Sequence, residues 1–539
     1  MALRPSTILA LSFLGLCRVA PADPAEFTVD RTNDETDASP GDGACASSSG
    51  GCSLRAAVQE TNALPGTDRI LLPAGTYVLG IPGADEDLGA TGDLDIADGL
   101  TISGAGAATT VIDGGALDGV FHLPPVGFEI GVEIRGVTIR NGSAFTGGGI
   151  HNFNFNSSLT LLDVVLTGNQ AQTGGAIADA ISQMTLVRTT VSGNTARYEA
   201  GGIWKNLGGM TVTDSAISGN SAGLDGGGIL NTGSTITLNR VTIHGNSAGG
   251  DGGGIYNEGN GFFPIEPIIG RIGVFNSTIS GNAAAGNGGG IHNAFNGSLL
   301  IAGTTLSGNS ATLRGGGLDI VPRREVAILG ATLADNSAGE GGGIAGDSGF
   351  PGMVVVANTI VANSPDGGNC LGFDRLFSLG GNLDGDGSCN LRGPGDLSDV
   401  DALLGPLRDN GGPTLTHALL AFSPGVDRGG DSLCAQTDQR GRPRRVDGNG
   451  DGSGRCDIGA VEYQGREPDS CDLNGDGAFD SRDALAWLGG CLRGTRRWSC
   501  DVDGSGSFDI ADLVGHVMSC SAVSREEAWA LAERLGVGE

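Results

Sequence analysis

Between residues 141 and 363 one pattern of apolar and polar positions recurs along the chain. GGGI-type runs end at Ile150, Ile177, Ile203, Ile229, Ile255, Ile291, Leu318 and Ile344, spaced 26–27 residues apart except for one spacing of 36. An asparagine column keeps the same period: Asn141, Asn169, Asn194, Asn220, Asn246, Asn282, Asn309, Asn336 and Asn363. From Asn169 onward, an apolar side chain stands ten, eight and three residues before each asparagine; for Asn220 these are Met210, Val212 and Ile217. The alternation has period two and changes phase between the −8 and −3 positions. That predicts short strands with a bend between them, not helices. A third strand begins at each GGGI isoleucine. Self-similarity at this period makes a solenoid. Strands stacking coil on coil at ~4.8 Å make it a parallel β-helix, of about 10–12 coils by the number of repeats. The crossover rule makes it right-handed. The long spacing is an insertion around GNGFFPIEP at 259–267.

The pattern also assigns outward positions. Six residues before each asparagine stand Arg135, Asp163, Arg188, Asp214, Arg240 and Asn276. Charge alternates coil by coil, which reads as a structural salt-bridge ladder rather than an active-site groove. The asparagines mark a corner, where Asn tolerates left-handed geometry and stacked amides bond along the axis. The residue after GGxI reads Trp204, Leu230, Tyr256 and His292 on four successive coils. Trp204, Tyr256 and His292 are therefore candidate carbohydrate-binding residues. The alternative is a stripe whose members pack on one another or beneath the insertion. A single glycine run could cradle phosphate. Eight in register instead read as a corner where missing side chains let the backbone turn and stack.

Composition narrows the partners. The formal net charge is −30, which excludes a nucleic-acid partner in the absence of a basic face. Residues 1–22 read as a secretory signal peptide, with Arg4, the apolar run Ile8–Leu16 and Ala20-Pro-Ala22. No later segment has the length of a membrane span. Ten cysteines then remain, in local groups that suit an oxidising compartment: Cys45 and Cys52; Cys370 and Cys389; Cys434 and Cys456; Cys471, Cys491, Cys500 and Cys520. Spacing does not fix their connectivity. No cluster of Asp with Arg, Lys or His converges in the repeat, so no catalytic residues are named. Lys205 is isolated, and His151, His244 and His292 fall on different coils or columns. The acidic patch Asp85, Glu86, Asp87, Asp93 and Asp95 reads as a solvated loop rather than a cation site.

Several stretches resemble bacterial secreted-protein families. CSLRAAVQETNALPG at 52–66, with GDLDI at 92–96, is similar to the CSLREA-type region that precedes such repeats, here placed at 23–99 with the first coils. The repeat of 100–400 resembles the pectin-lyase-like right-handed β-helix superfamily, and also the GGA(I/L) repeats of polymorphic outer-membrane adhesins. Residues 401–464, with NGGPTLTHALLAFSPGVDRG and CDIGAVE, resemble the choice-of-anchor Q domain. The superfamily includes polysaccharide lyases and hydrolases, but the fold does not dictate activity.

After a linker at 465–470 the text changes to a tandem duplication at 471–520 with an offset of 29 residues. Its first loop places Asp472, Asn474, Asp476, the Ala478 carbonyl, Asp480 and Asp483 at the Ca²⁺-ligand positions of a twelve-residue loop. The second places Asp501, Asp503, Ser505, the Ser507 carbonyl, Asp509 and Asp512 likewise. The module resembles a type I dockerin, which implies Ca²⁺ as cofactor, a small helical fold and a cohesin-like partner. Four flanking cysteines depart from that pattern. Residues 521–539 read as a short helical tail. The chain is thus expected to be a secreted, Ca²⁺-binding, all-β solenoid with a small helical end. Its expected role is attachment to polysaccharide or the cell surface; the alternative is a dockerin-borne glycoside hydrolase or lyase.

Overall fold

The structure is a computed structural model, and it describes residues 24–464 apart from 85, 156, 260–267, 322–323, 348–352, 373–375, 421–422 and 450. The expectations for the signal peptide at 1–22, the linker at 465–470, the Ca²⁺ loops from Asp472 to Asp512 and the tail at 521–539 lie outside those residues. The described chain is a parallel β-helix. One sheet stacks 13 strands and another seven, while a third, of 22 strands, takes up the segments after GGxI and before the bend. The coil around Asn220 shows the repeat: strand Ile203–Thr213, a bend at Asp214, strand Ala216–Ser218, then Ser221–Ala222. Up to the coil of Asn336 the −10, −8 and −3 side chains point inward as the alternation predicts, and Met210, Val212 and Ile217 are 0–2 % exposed. Before Asn363 the register slips by one: Val354 and Val356 turn inward, and Met353 is 46 % exposed.

The asparagines stack their amides along the axis as expected, but only Asn141 (φ 55°) and Asn363 (φ 58°) take the left-handed turn themselves. Between them the left-handed residue is the one before each asparagine, a glycine such as Gly193 (φ 63°), Gly219 (φ 61°) and Gly245 (φ 63°), or Asp335 (φ 59°) before Asn336. That frees Asn169, Asn194, Asn220, Asn246, Asn282, Asn309 and Asn336 to point inward, where each is 0–1 % exposed. From Asn169 to Asn309 each Nδ2 donates to the Oδ1 of the next coil, as from Asn220 to Asn246 at 2.9 Å. The same Oδ1 accepts the Asn220 backbone N–H at 3.0 Å. Asn220 Nδ2 also donates to the Val191 carbonyl at 3.0 Å. The glycine run fits around this ladder. Gly288 adopts φ 67°, and a Cβ on Gly290 would lie 2.5 Å from the Gly317 carbonyl oxygen and 3.1 Å from Asn309 Cγ.

The other left-handed corner is the charged column: Asp163 (φ 54°), Arg188 (φ 48°), Asp214 (φ 50°), Arg240 (φ 55°) and Asn276 (φ 49°). Arg188 bonds Asp163 at 2.7 and 2.9 Å, and Arg240 bonds Asp214 at 2.6 and 2.7 Å, as the alternation predicts. Arg135 does not join them. It aligns with Leu162, one position off, and pairs with Glu133 at 3.5 Å, while Gly136 takes the corner.

One α-helix breaks the all-β expectation. α1 (Leu54–Ala63) is capped by Ser53, whose Oγ accepts the Ala56 N–H at 3.1 Å. It packs against the early strands Asp68–Leu72 and Leu94–Asp95 near the N-terminal end of the solenoid. Segment 401–464 lies along the outer face of the 13-stranded sheet. Gln439 is buried there, donating to the Ser277 carbonyl at 2.9 Å and accepting from Thr305 Oγ1 at 2.7 Å. His417 Nε2 sits 2.8 Å from Ser307 Oγ, and Thr332 Oγ1 accepts from the Ala460 N–H at 3.0 Å. This cover explains why Thr278–Ser280, Thr305–Ser307 and Thr332–Ala334 are buried on both faces, whereas Ala216–Ser218 alternates. Three local disulfides join Cys45 to Cys52, Cys370 to Cys389 and Cys434 to Cys456.

Replacing Asn220 by Ala strands the Asn194 donors and the Val191 carbonyl in a dry interior. We expect a loss of at least ~2 kcal/mol of unfolding free energy in equilibrium denaturation. Gln439→Leu should leave the shaft intact and make segment 401–464 more susceptible to limited proteolysis.

Candidate functional site

The residue after GGxI belongs to a longer outward row. Register places Asp95, His122, His151, Ala178, Trp204, Leu230, Tyr256, His292 and Asp319 one above another on successive coils. His151 and His292 thus share a column but lie on coils far apart, as expected, and His244 lies on the strand Thr242–His244 of the 13-stranded sheet. Of the three candidate sugar-binding residues, Trp204 and Tyr256 are half-buried and His292 is only 5 % exposed. Leu230 between them is buried. Tyr256 stacks on His292 with ring centroids 5.2 Å apart.

Acidic groups gather beside this part of the row. The residue before each glycine run is Glu199, Asp225 and Asp251 on three successive coils, tied by backbone bonds such as Ala200 N–H to the Asp225 carbonyl at 2.9 Å. Burial raises the Tyr256 hydroxyl pKa, and the charges of Glu258, Asp225, Asp251 and Glu199 raise it further. Glu258 is itself held above its ordinary value by burial and then by Glu199 and Asp225. His292 Nδ1 lies 2.9 Å from Asp319 Oδ2, and Arg314 approaches Asp319 Oδ1 at 3.5 Å.

The N-terminal end of the row is a second cluster, and α1 builds it. Arg55 is fully buried and grips Asp34 through two bonds of 2.7 and 3.0 Å. Its remaining donors hold the carbonyls of Gly89, Gly92 and Asp93 at 2.7–3.0 Å. Gln59 bonds the Gly89 carbonyl at 3.2 Å and Asn62 the Asp95 carbonyl at 2.7 Å. Asp85 lies outside the described residues; the rest of the acidic patch, Glu86 to Asp95, is a loop clamped by a helix rather than a freely solvated one. Asp95 is fully buried; one oxygen accepts the Gly89 N–H at 2.7 Å and the other sits 2.9 Å from His122 Nδ1. Asp87 Oδ1 lies 3.6 Å from the same nitrogen. One ligand atom each from Asp87, Asp95 and His122 falls within 4.8 Å of the others, a set that fits a small divalent cation.

Burial, then the charges of Asp95 and Asp118, push the Asp93 carboxyl up to about 7. Burial pulls His122 down, but its bond to Asp95 and the charges of Asp93, Asp95 and Asp87 outweigh this and hold it above its ordinary value. His151 stacks on His122 at 4.9 Å and is lowered to about 4 by burial and then by the His122 charge. Beyond it lie the partly exposed rings Phe153 and Phe155, with centroid spacings of 5.4 and 6.1 Å along the series. His122 escaped sequence reasoning because its coil lacks the glycine run. The preceding DGV of 118–120 hides its place in the column.

Residues 240–258 match the family model described as a Chlamydia polymorphic membrane protein repeat. That stretch holds Asn246, Asn257 and one GGGI run of the solenoid. No curated protein matches the chain. Among solved structures, the chain is similar to one titled crystal structure of pectate lyase Pel9A. The TM-score is 0.41 and the identity 12%, over 82% of this chain and 97% of that one. Among the described residues no helix is long and apolar enough to cross a membrane.

The shifted groups set a pH dependence. Asp93, at about 7, and Asp457, raised to about 8 by burial and then by Glu462, keep protons that the unfolded chain has released. Between the ordinary carboxyl value of 3.8 and these raised values the folded chain holds protons that the unfolded chain has lost, so stability from them falls across that whole window and levels off above it; His122 acts in the same sense above 6.5. Between about 4 and 6.5 the lowered pKa of His151 offsets one of the two carboxyls, because there the unfolded chain holds the proton. Thermal unfolding should therefore show stability declining from about pH 4 to about pH 8, more steeply above pH 6.5. Asp93→Asn should flatten that decline below about pH 7.

Proposed function

We propose that this is an extracellular attachment protein that lays a polysaccharide along the outward row of its shaft. The observation that carries this reading is the pair Trp204 and Tyr256, half-exposed two coils apart with buried Leu230 between them. Two coils span about 10 Å, close to one disaccharide step of an extended β-linked glycan, so successive like sugar faces meet successive rings. The neighbouring Glu199, Asp225, Asp251 and Glu258 carry an excess of negative charge. Such a groove repels a polyuronate and favours a neutral or amino-sugar chain. In this reading the dockerin-like loops of 471–520 bind Ca²⁺ and tether the shaft to a cohesin-like partner.

A second reading is a polysaccharide-degrading enzyme, favoured by the N-terminal cluster. Asp93 holds a proton near neutrality and would serve as general acid, while Asp95 orients His122 to accept one. Phe153 and Phe155 would flank the sugar.

Retention on insoluble polysaccharides tests the first reading. Trp204→Ala and Tyr256→Ala should each weaken binding to a neutral or amino-sugar polymer roughly tenfold, or about 1.4 kcal/mol. Unchanged retention of the double variant would defeat it. Sugar release abolished by Asp93→Asn would establish the second reading instead. Titration calorimetry of the full chain should show Ca²⁺ uptake that disappears in the Asp472→Ala/Asp501→Ala variant.

A further inference from the structure

The chain contains a single lysine, Lys205, and its side chain is wholly buried. It belongs to a second internal polar column, which register builds from Asn152, Asp179, Lys205, Asn231, Asn257 and Asn293. Its asparagines bond as amides across coils: Asn231 Nδ2 donates to Asn257 Oδ1 at 2.8 Å, and Asn257 Nδ2 to Asn293 Oδ1 at 2.7 Å. At two adjacent rungs an acid and an amine replace the amides. Lys205 Nζ lies 2.6 Å from Asp179 Oδ1, and neither side chain touches solvent. Two buried ions are costly where neighbouring rungs manage with neutral amides.

We propose that Lys205 and Asp179 condense into an intramolecular isopeptide bond, a covalent rung between two successive coils. The product is itself an amide, the group this column uses elsewhere. In the dry interior a proton passes from the Nζ ammonium to the Asp179 carboxylate, leaving a neutral amine and a neutral acid. The Nζ lone pair then attacks Asp179 Cγ and forms the C–N bond. The C–O bond to one carboxyl oxygen breaks, and that oxygen leaves as water with the proton given up by nitrogen. One water is lost and nothing is oxidised or reduced.

The surroundings suit each step. Ser182 Oγ lies 2.5 and 2.6 Å from the two Asp179 oxygens and 3.4 Å from Nζ, so its hydroxyl can relay the proton from nitrogen to the departing oxygen. Asn152 Nδ2 donates to Asp179 Oδ2 at 3.1 Å and polarises the carboxyl. The Ser182 carbonyl accepts from Nζ at 3.0 Å and aims the amine. Burial also lowers the Lys205 pKa, against the pull of Asp179, which favours the neutral amine. Ile181, immediately before Ser182, holds φ 58°, a conformation that β-branched residues rarely adopt and that Gly233 takes two coils on. The same corner recurs at Leu207 (φ 58°), and here it brings Ser182 to the pair.

The single lysine makes the test direct. The full chain is purified, reduced and denatured, then digested with a lysine-specific endoprotease. A bonded Lys205 gives no cleavage, and peptide mapping with a second protease finds the peptides around residues 179 and 205 joined and lighter by one water. Asp179→Ala should restore one cut after Lys205 and the full mass of both peptides. Because the readout is taken on unfolded chain, it does not depend on that variant folding. Quantitative cleavage of the wild-type chain, with both peptides at full mass, would overturn the proposal.

Discussion

The fold depends on carrying amide groups through an apolar interior without leaving any of them unpaired. A buried amide without a partner costs more than its net bond contributes when made. The coils solve this by donating the asparagine Nδ2 to the next coil and to a backbone carbonyl of the preceding one, as Asn220 does toward Asn246 and Val191. The other conserved-looking features of the repeat follow. A left-handed residue, a glycine in all but the Asp335–Asn336 step, precedes each inward asparagine and aims it. The glycine run must lack side chains because the ladder and the next coil's carbonyls occupy that space. One hydrogen-bond requirement thereby sets two glycine columns and one asparagine column.

The architecture was largely legible in the chain. The −10, −8 and −3 apolar columns report burial directly, and burial is periodic here because each coil meets only its neighbours. The axial amide ladder was legible in the asparagine column, but which residue takes the left-handed turn was not, since the same spacing suits the asparagine or the residue before it. The Arg135 misalignment was hidden by a one-residue difference in coil length that register alone reveals. The helix α1 escaped because it is buried on nearly every side, so its sequence lacks the amphipathic rhythm of a surface helix. The site was the least legible part. Its acids come from a loop before the repeat becomes regular, and His122 sits on a coil without the GGGI-type run.

Long-range organisation came from groups with no periodic signal. Segment 401–464 reaches back over 100 residues to cover the 13-stranded sheet, through single contacts such as Gln439 to Thr305 and His417 to Ser307. The outward row is also uneven along its length: histidine and carboxylate at the N-terminal end, aromatic with an acidic wall in the middle. Two regions of one straight surface therefore offer different chemistry without any change of backbone geometry.

The helix near the N-terminal end has a consequence for how the molecule comes apart. In a solenoid each coil is held only by the coils beside it, so loss of structure propagates from whichever end yields first. α1 ties Arg55, Gln59 and Asn62 into the loop that reaches the first rungs, and an exposed terminal strand would otherwise invite pairing with a second molecule. One short helix thus braces that end: unravelling from it must first undo ten residues that belong to none of the coils.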